Sequence, residues 1–219
     1  MTDPAAPATS SLAMMLTLAD SRLPVGGHVH SGGVEQAITD GFVRGVADLA
    51  AFLHRRLTTS GLVAASIAAA VAEGTLDVRA AQIETDARTP SAAARKASLA
   101  QGRGMVRLAR RMFPATDFSA HLPSTHLPVI SGSVGAASGL SGMQTALVCV
   151  YTTVSGTATA GQRLLALDPA DVAVMIADLG AECEAVAAQA ATGLADLSDP
   201  ILDVLAERHE TRPMPLFMS

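Results

Sequence analysis

Tryptophan is absent from this sequence, tyrosine occurs once, at Tyr151, and aromatic residues make up only 3% of the 219-residue chain. The core must therefore be assembled from Ala, Leu, Val, Ile and Met, within an apolar share of 49%. Small side chains at that frequency suit close-packed helices, because alanine has the best helix propensity and loses no side-chain entropy. Charge is also sparse: 16% of residues are charged, the net charge is -5, and Lys96 is the only lysine. We read no basic stripe along the chain, which argues against nucleic-acid binding. So few charges mean either a compact fold or an apolar exterior that a partner covers.

Cysteine is scarce too. Cys149 and Cys183 lie far apart and lack metal-ligand spacing, so they read as small buried hydrophobes in a reducing compartment. Asp3 stands where a secretory leader carries basic residues, and the first apolar run is short. The longest apolar run, Leu62 to Ala72 with Ser66 inside it, is too short to span a bilayer. Both features predict a cytoplasmic protein that does not enter membranes. The catalytic motifs are missing as well. Lys96 lies between Arg95 and Ala97 with no glycine-rich turn, so there is no phosphate-binding loop. There is no G-x-S-x-G elbow, and His209-Glu210 is followed by Thr211, Arg212 and Pro213 rather than by H-E-x-x-H spacing. Gly102 and Gly104 form a short G-x-G, which we read as close packing of a second helix.

What is present is a series of helix signals. Residues 1–10 are rich in Pro, Ala, Thr and Ser and predict a disordered lead-in. Leu12, Met15, Leu16 and Ala19 fall at helical spacing, and Pro24, Gly26, Gly27, Gly32 and Gly33 mark a loop. A helix restarts near Ser31 with Ser31 as its cap, and Gly41 ends it. Helices are expected over Asp48–Leu57, Gly61–Glu73 and Thr75–Ala87. Thr89-Pro90, Asp168-Pro169 and Asp199-Pro200 each place a cap before a proline, which suits the first helical position because that N–H has no partner there. Ser141 with Gln144 is a capping box. The helix from Pro90 should stop near Phe113. That from Ser141 should reach Leu165, with Gly156 and Gly161 as possible kinks. Val148 to Val154 is β-prone, but no partner run exists, which favours a buried helix. The expected fold class is all-α: a compact single-domain bundle of about eight to ten helices over residues 11–210, followed by a tail over 211–219.

His28 and His30 form an H-x-H in the glycine loop. In an extended segment both rings point the same way, and imidazole suits nickel. Two ligands alone make a weak metal candidate, and folding the loop or meeting a partner is the alternative. Glu35 can cap its helix or act on a substrate as a general base. His126 reads as structural. In the tail, Pro213 and Pro215 prevent a helix. Leu216, Phe217 and Met218 would then be exposed on the free monomer, which predicts a tail that is loose alone and ordered on a partner; a tail packed on its own domain is the alternative.

The run Leu18 to Glu35 resembles the N-terminal signature of the UreF family of urease accessory proteins, with Pro24, Gly26, Ser31, Gly33 and Glu35 matching. His28, Val29 and His30 depart from it, where many members carry aromatics. Glu84 to Gly104, with Ser98 a turn before Gly102, is similar to the family's central helix. His126 to Gly132 is similar to its next segment, and Gln162-Arg163-Leu164 with Leu167 to its later R-L-x-x-L pattern. His209-Glu210 and Leu216-Phe217-Met218-Ser219 resemble its tail. Here Pro215 and Met218 stand where basic residues are common. The resemblance implies an all-helical homodimer that bridges UreD (also UreH) and the GTPase UreG on apo-urease and regulates GTP-dependent nickel delivery. It implies no catalysis and no stably bound cofactor, nickel being handled indirectly. Pro24, Gly26, His28, His30, Ser31, Gly33, Glu35, His209, Glu210, Leu216, Phe217 and Ser219 are then the expected partner-binding residues. A nickel carrier holding the ion through His28 and His30 is the alternative function, and an enzyme using Glu35 is a third.

Overall fold

The computed structural model describes residues 11–197 and 199–217. The lead-in over residues 1–10, together with Met218 and Ser219 at the tail's end, lies outside the described residues. Among the described residues eleven α-helical segments form and no β-sheet, in agreement with the all-α expectation. They are α1 Ser11–Leu18, α2 Val34–Thr39, α3 Val46–Arg56, α4 Leu62–Ala72, α5 Val78–Ala87 and α6 Ala92–Met112, then α7 Leu127–Ala137, α8 Gly142–Leu165, α9 Pro169–Asp178, α10 Gly180–Ala190 and α11 Pro200–Glu210. A π-helical turn over Leu57–Gly61 joins α3 to α4, so the two form one rod and the described chain has ten continuous helices.

That π turn follows from local composition. The hydroxyls of Thr58 and Thr59 donate to the carbonyls of His54 and Arg55. Such back-bonding competes with the regular ladder, and Gly61 leaves room for the widened turn.

The helix starts repeat a simple chemistry. Asp77, Ser91, Ser141, Asp168 and Asp199 each accept a first-turn N–H through the side chain, and Gln144 completes the box with Ser141. One start differs from expectation: Ser91, not Thr89, caps α6, so Pro90 precedes the helix. The β-prone run is helical. Val150, Val154 and Ala158 recur every fourth residue and are all buried, so tertiary burial outweighs strand propensity. Gly156 and Gly161 do not break α8, which is continuous over 24 residues.

α4 is apolar nearly all round and packs against α7, α8 and α10 at the centre. One large core lies among α2, α3, α4 and α8–α11. A second lies among α1, α6 and α7, and a third where α4, α5 and α7 meet. Cys183 is buried and Cys149 half-buried, both as free thiols, and burial pushes the Cys149 thiol up to about 12. The glycine pair of α6 serves close approach, though to loop backbone rather than to a helix. A Cβ on Gly102 would sit 1.9 Å from the Thr125 carbonyl oxygen, and one on Gly104 would sit 2.7 Å from that of Val25.

These contacts give opposite expectations for two glycines. Gly102→Ala should destabilise the protein by about 1–3 kcal/mol through overpacking. Gly156 has no atom within 4 Å of the added carbon, so Gly156→Ala should stabilise it by about 0.5–1 kcal/mol. Urea unfolding midpoints read both effects.

Candidate functional site: a carboxylate node under the signature loop

The loop between α1 and α2 reverses direction with glycines. Gly26, Gly32 and Gly33 take φ values of 81°, 63° and 89°, a region that other residues avoid. Gly33, not Ser31, is the N-terminal cap of α2; the buried Ser31 hydroxyl has no hydrogen-bond partner. Pro24 is exposed at the rim. Gly27–Val29 form a 3₁₀ turn, with His30 extended after it. The extended strand that would align His28 with His30 is therefore not formed; the placement of the His28 side chain lies outside what is described. Among the described residues no group of three or more His, Cys, Asp or Glu is placed to hold a metal ion.

Beneath the loop lies the Arg56 guanidinium, at the entrance to the π turn. Its Nη1 donates to the Gly32 carbonyl at 2.8 Å, while Nε has no partner. Burial pulls its pKa down to about 10, which leaves it charged at neutral pH. Arg56 and Thr157 crowd the face of Gly32, where a Cβ would meet Thr157 Oγ1 at 2.8 Å. A cavity of about 430 Å³ begins here and runs between the loop, α6, α7, α8 and α11.

Glu35 is the centre of the site. It is 2% exposed, and its carboxylate turns away from the start of its own helix. His209 Nε2 donates to it at 2.8 Å, Leu216 N–H at 2.8 Å and Phe217 N–H at 3.0 Å. Arg212 Nη1 stands 3.8 Å away. One carboxylate thus joins the loop, α11 and the tail, in place of the expected capping role. Burial pushes its pKa up, but the bonds from His209, Leu216 and Phe217 outweigh that and hold it below the ordinary value of 4.5. A carboxylate held low and occupied by several donors is a poor general base. Glu35 also does not line the cavity.

His209 is as buried as Glu35, so both act from inside the domain rather than on its surface. Glu210 pairs with Lys96 on α6, and Arg208 with Asp40 at 2.8 Å, which fastens α11 on either side. The tail is seated on its own domain. Phe217 is 8% exposed within the main core, and the Arg163 guanidinium lies 5.4 Å from its ring centre. Leu216 and Met214 point outward, 79% and 84% exposed.

A second node went unread in the sequence beyond a structural role for His126. His126 Nε2 meets Asp86 Oδ1 at 3.0 Å, and its Nδ1 meets Ser98 Oγ at 3.1 Å. Ser98 Oγ also accepts from Leu127 N–H at 3.1 Å. The serine oxygen is thereby held as a cap for α7, and the three residues pin α5, α6 and α7 together.

A helical scaffold whose buried polar nodes tie segments together is the class these features define. The sequence model of the UreF family matches residues 43–180. A urease accessory protein UreF of Mycobacterium sp. (strain JLS) is 62% identical over 210 residues, covering 96% of this chain and all of the relative. The corresponding proteins of Mycobacterium marinum and Mycobacterium tuberculosis H37Rv are 60% and 58% identical over the same spans. The chain belongs to the UreF family of urease accessory proteins.

Because the folded pKa of Glu35 lies below its unfolded value, its contribution is present above pH 4.5 and fades as pH falls through the folded pKa. Glu35→Gln should cost about 2 kcal/mol at pH 7, the scale of hydrogen bonds to a charged group. The gap from wild type should narrow in acid. Chemical unfolding between pH 3 and pH 7 measures it, and a gap independent of pH would contradict this assignment.

Proposed function

We propose that this protein acts in the cytoplasm as a non-catalytic adaptor in urease maturation. It bridges UreD and the GTPase UreG on apo-urease and regulates the GTP-dependent step that delivers nickel. Membership of the accessory family supports the maturation role, and the absence of a nucleotide loop leaves GTP chemistry to a partner.

The observation that carries the reading is the divided tail. Leu216 and Phe217 both donate their backbone N–H groups to Glu35, yet only Phe217 is seated in the core. Leu216 and Met214 are held outward as a fixed apolar edge beside the signature loop. Exposing them to water is unfavourable, and covering them with UreD offsets that cost. A tail already docked loses less freedom on binding than a loose one. Exposed Leu12 and Leu16 on α1, and Val174 on α9, are further apolar positions for partner or dimer contacts.

Nickel is passed along by the assembly rather than held here. No observation favours the carrier reading through His28 and His30.

Leu216→Ala should weaken UreD binding about tenfold, since a buried Leu contributes roughly 1.5–3 kcal/mol and 1.4 kcal/mol is a factor of ten. Its thermal midpoint should stay unchanged, because the side chain is exposed. Co-expression with UreD and UreG, followed by size measurement and titration, checks this. Unaltered affinity would remove the tail from the UreD interface.

A further inference from the structure

The arginines of α6 form a surface that the adaptor reading does not use. Arg103, Arg107, Arg110 and Arg111 fall at i, i+4, i+7 and i+8, within a third of the helix circumference. All four are exposed. The ion pairs of the described chain engage Arg22, Arg55, Arg88, Arg95, Lys96, Arg208 and Arg212. None reaches this stripe, although Asp117 is close enough to Arg110 to feel its charge. The expectation of no basic stripe fails because it counted lysines and overall charge, whereas these arginines converge only once the helix is formed.

The helix end explains part of the cluster. Arg110 and Arg111 occupy the last turn, where cations favour the negative end of the helix dipole. Arg103 and Arg107 lie in the interior, where like charges four apart repel. The fold therefore tolerates a repulsion that it gains nothing from when alone. The same arginines line a cleft of about 420 Å³ whose other walls are Val106, His121, Leu122 and Pro123. Leu122 is left half exposed there.

We infer that this cleft docks a short acidic segment of a partner protein, with carboxylates on the guanidiniums and one apolar side chain against Leu122 and Pro123. Guanidiniums suit carboxylates through paired N–H donors. The apolar wall gives a protein side chain a place that a phosphate backbone would leave empty. The patch is also small on a chain of net charge -5. A long polyanion such as duplex DNA or a membrane would extend beyond it onto surface that repels it.

The probe is a fluorescein-labelled hexapeptide with four carboxylates and two leucines, titrated against the full chain at low salt. Binding should occur and should weaken at least about tenfold in R107E/R110E, and should weaken likewise when the peptide leucines become alanines. R44E/R79E, an equal charge reversal elsewhere on the exposed surface, should leave it within about twofold. Circular dichroism confirms that each variant is folded, and R107A/R110A repeats the comparison without reversing charge. Equal losses in the two reversal variants, or no binding, would overturn the inference. So would tighter binding of a 20-base-pair duplex or of phosphatidylglycerol vesicles than of the peptide.

Discussion

One buried carboxylate organises the functional end of this molecule. Glu35 can remain ionised inside the protein only because His209 and two backbone N–H groups of the tail donate to it. Removing any donor leaves charge uncompensated, so the loop, α11 and the tail must keep their relative places. The demand spreads outward. Gly33 must adopt a positive φ to start α2 where Glu35 can point inward, and α11 must be held to α2 and α6 by its flanking ion pairs. Proline at 213 and 215 then keeps the tail out of a helix, and the bend at Leu216 and Phe217 lets neighbouring N–H groups reach one carboxylate.

The same geometry explains how a small apolar protein presents a specific surface. The two tail residues bonded to Glu35 send their side chains to different surroundings, Phe217 8% exposed and Leu216 79%. Fixing the backbone at Glu35 therefore places Phe217 in the core and Leu216 outside. The Arg163 guanidinium over Phe217 closes this pocket from α8. On another side, the π turn between α3 and α4 brings Arg56 beneath Gly32 and links the loop to the long central rod. A scaffold held in this way can offer partners edges of defined shape, which suits an accessory protein.

Much of the fold was legible because its signals are local. Caps at Asp168, Asp199 and Ser141 lie within a few residues of the N–H groups they bond. The register of α8 also showed in its apolar spacing, despite a β-prone run. At Thr89-Pro90 the local rule chose a cap two residues early, because Ser91 is also bonded to Glu207 on α11, a contact 116 residues away. The site was legible in its membership and illegible in its wiring. Glu35, His209, Leu216 and Phe217 all stood out by resemblance, yet the bonds among them span more than 170 residues. No periodicity reports such a contact, so Glu35 read as a cap and the tail as loose. The α6 arginines are hidden for a different reason: they are spaced along the sequence and converge on one face only once the helix is formed.

Amide hydrogen exchange at Leu216 and Phe217 in the isolated protein tests the central claim most directly. A tail fastened to Glu35 should show both amides protected at neutral pH, with protection lost in Glu35→Gln and greater protection when UreD is added. Exchange of both amides at unstructured rates in the wild-type protein would contradict the account, because the tail would then have no fixed position from which to present Leu216.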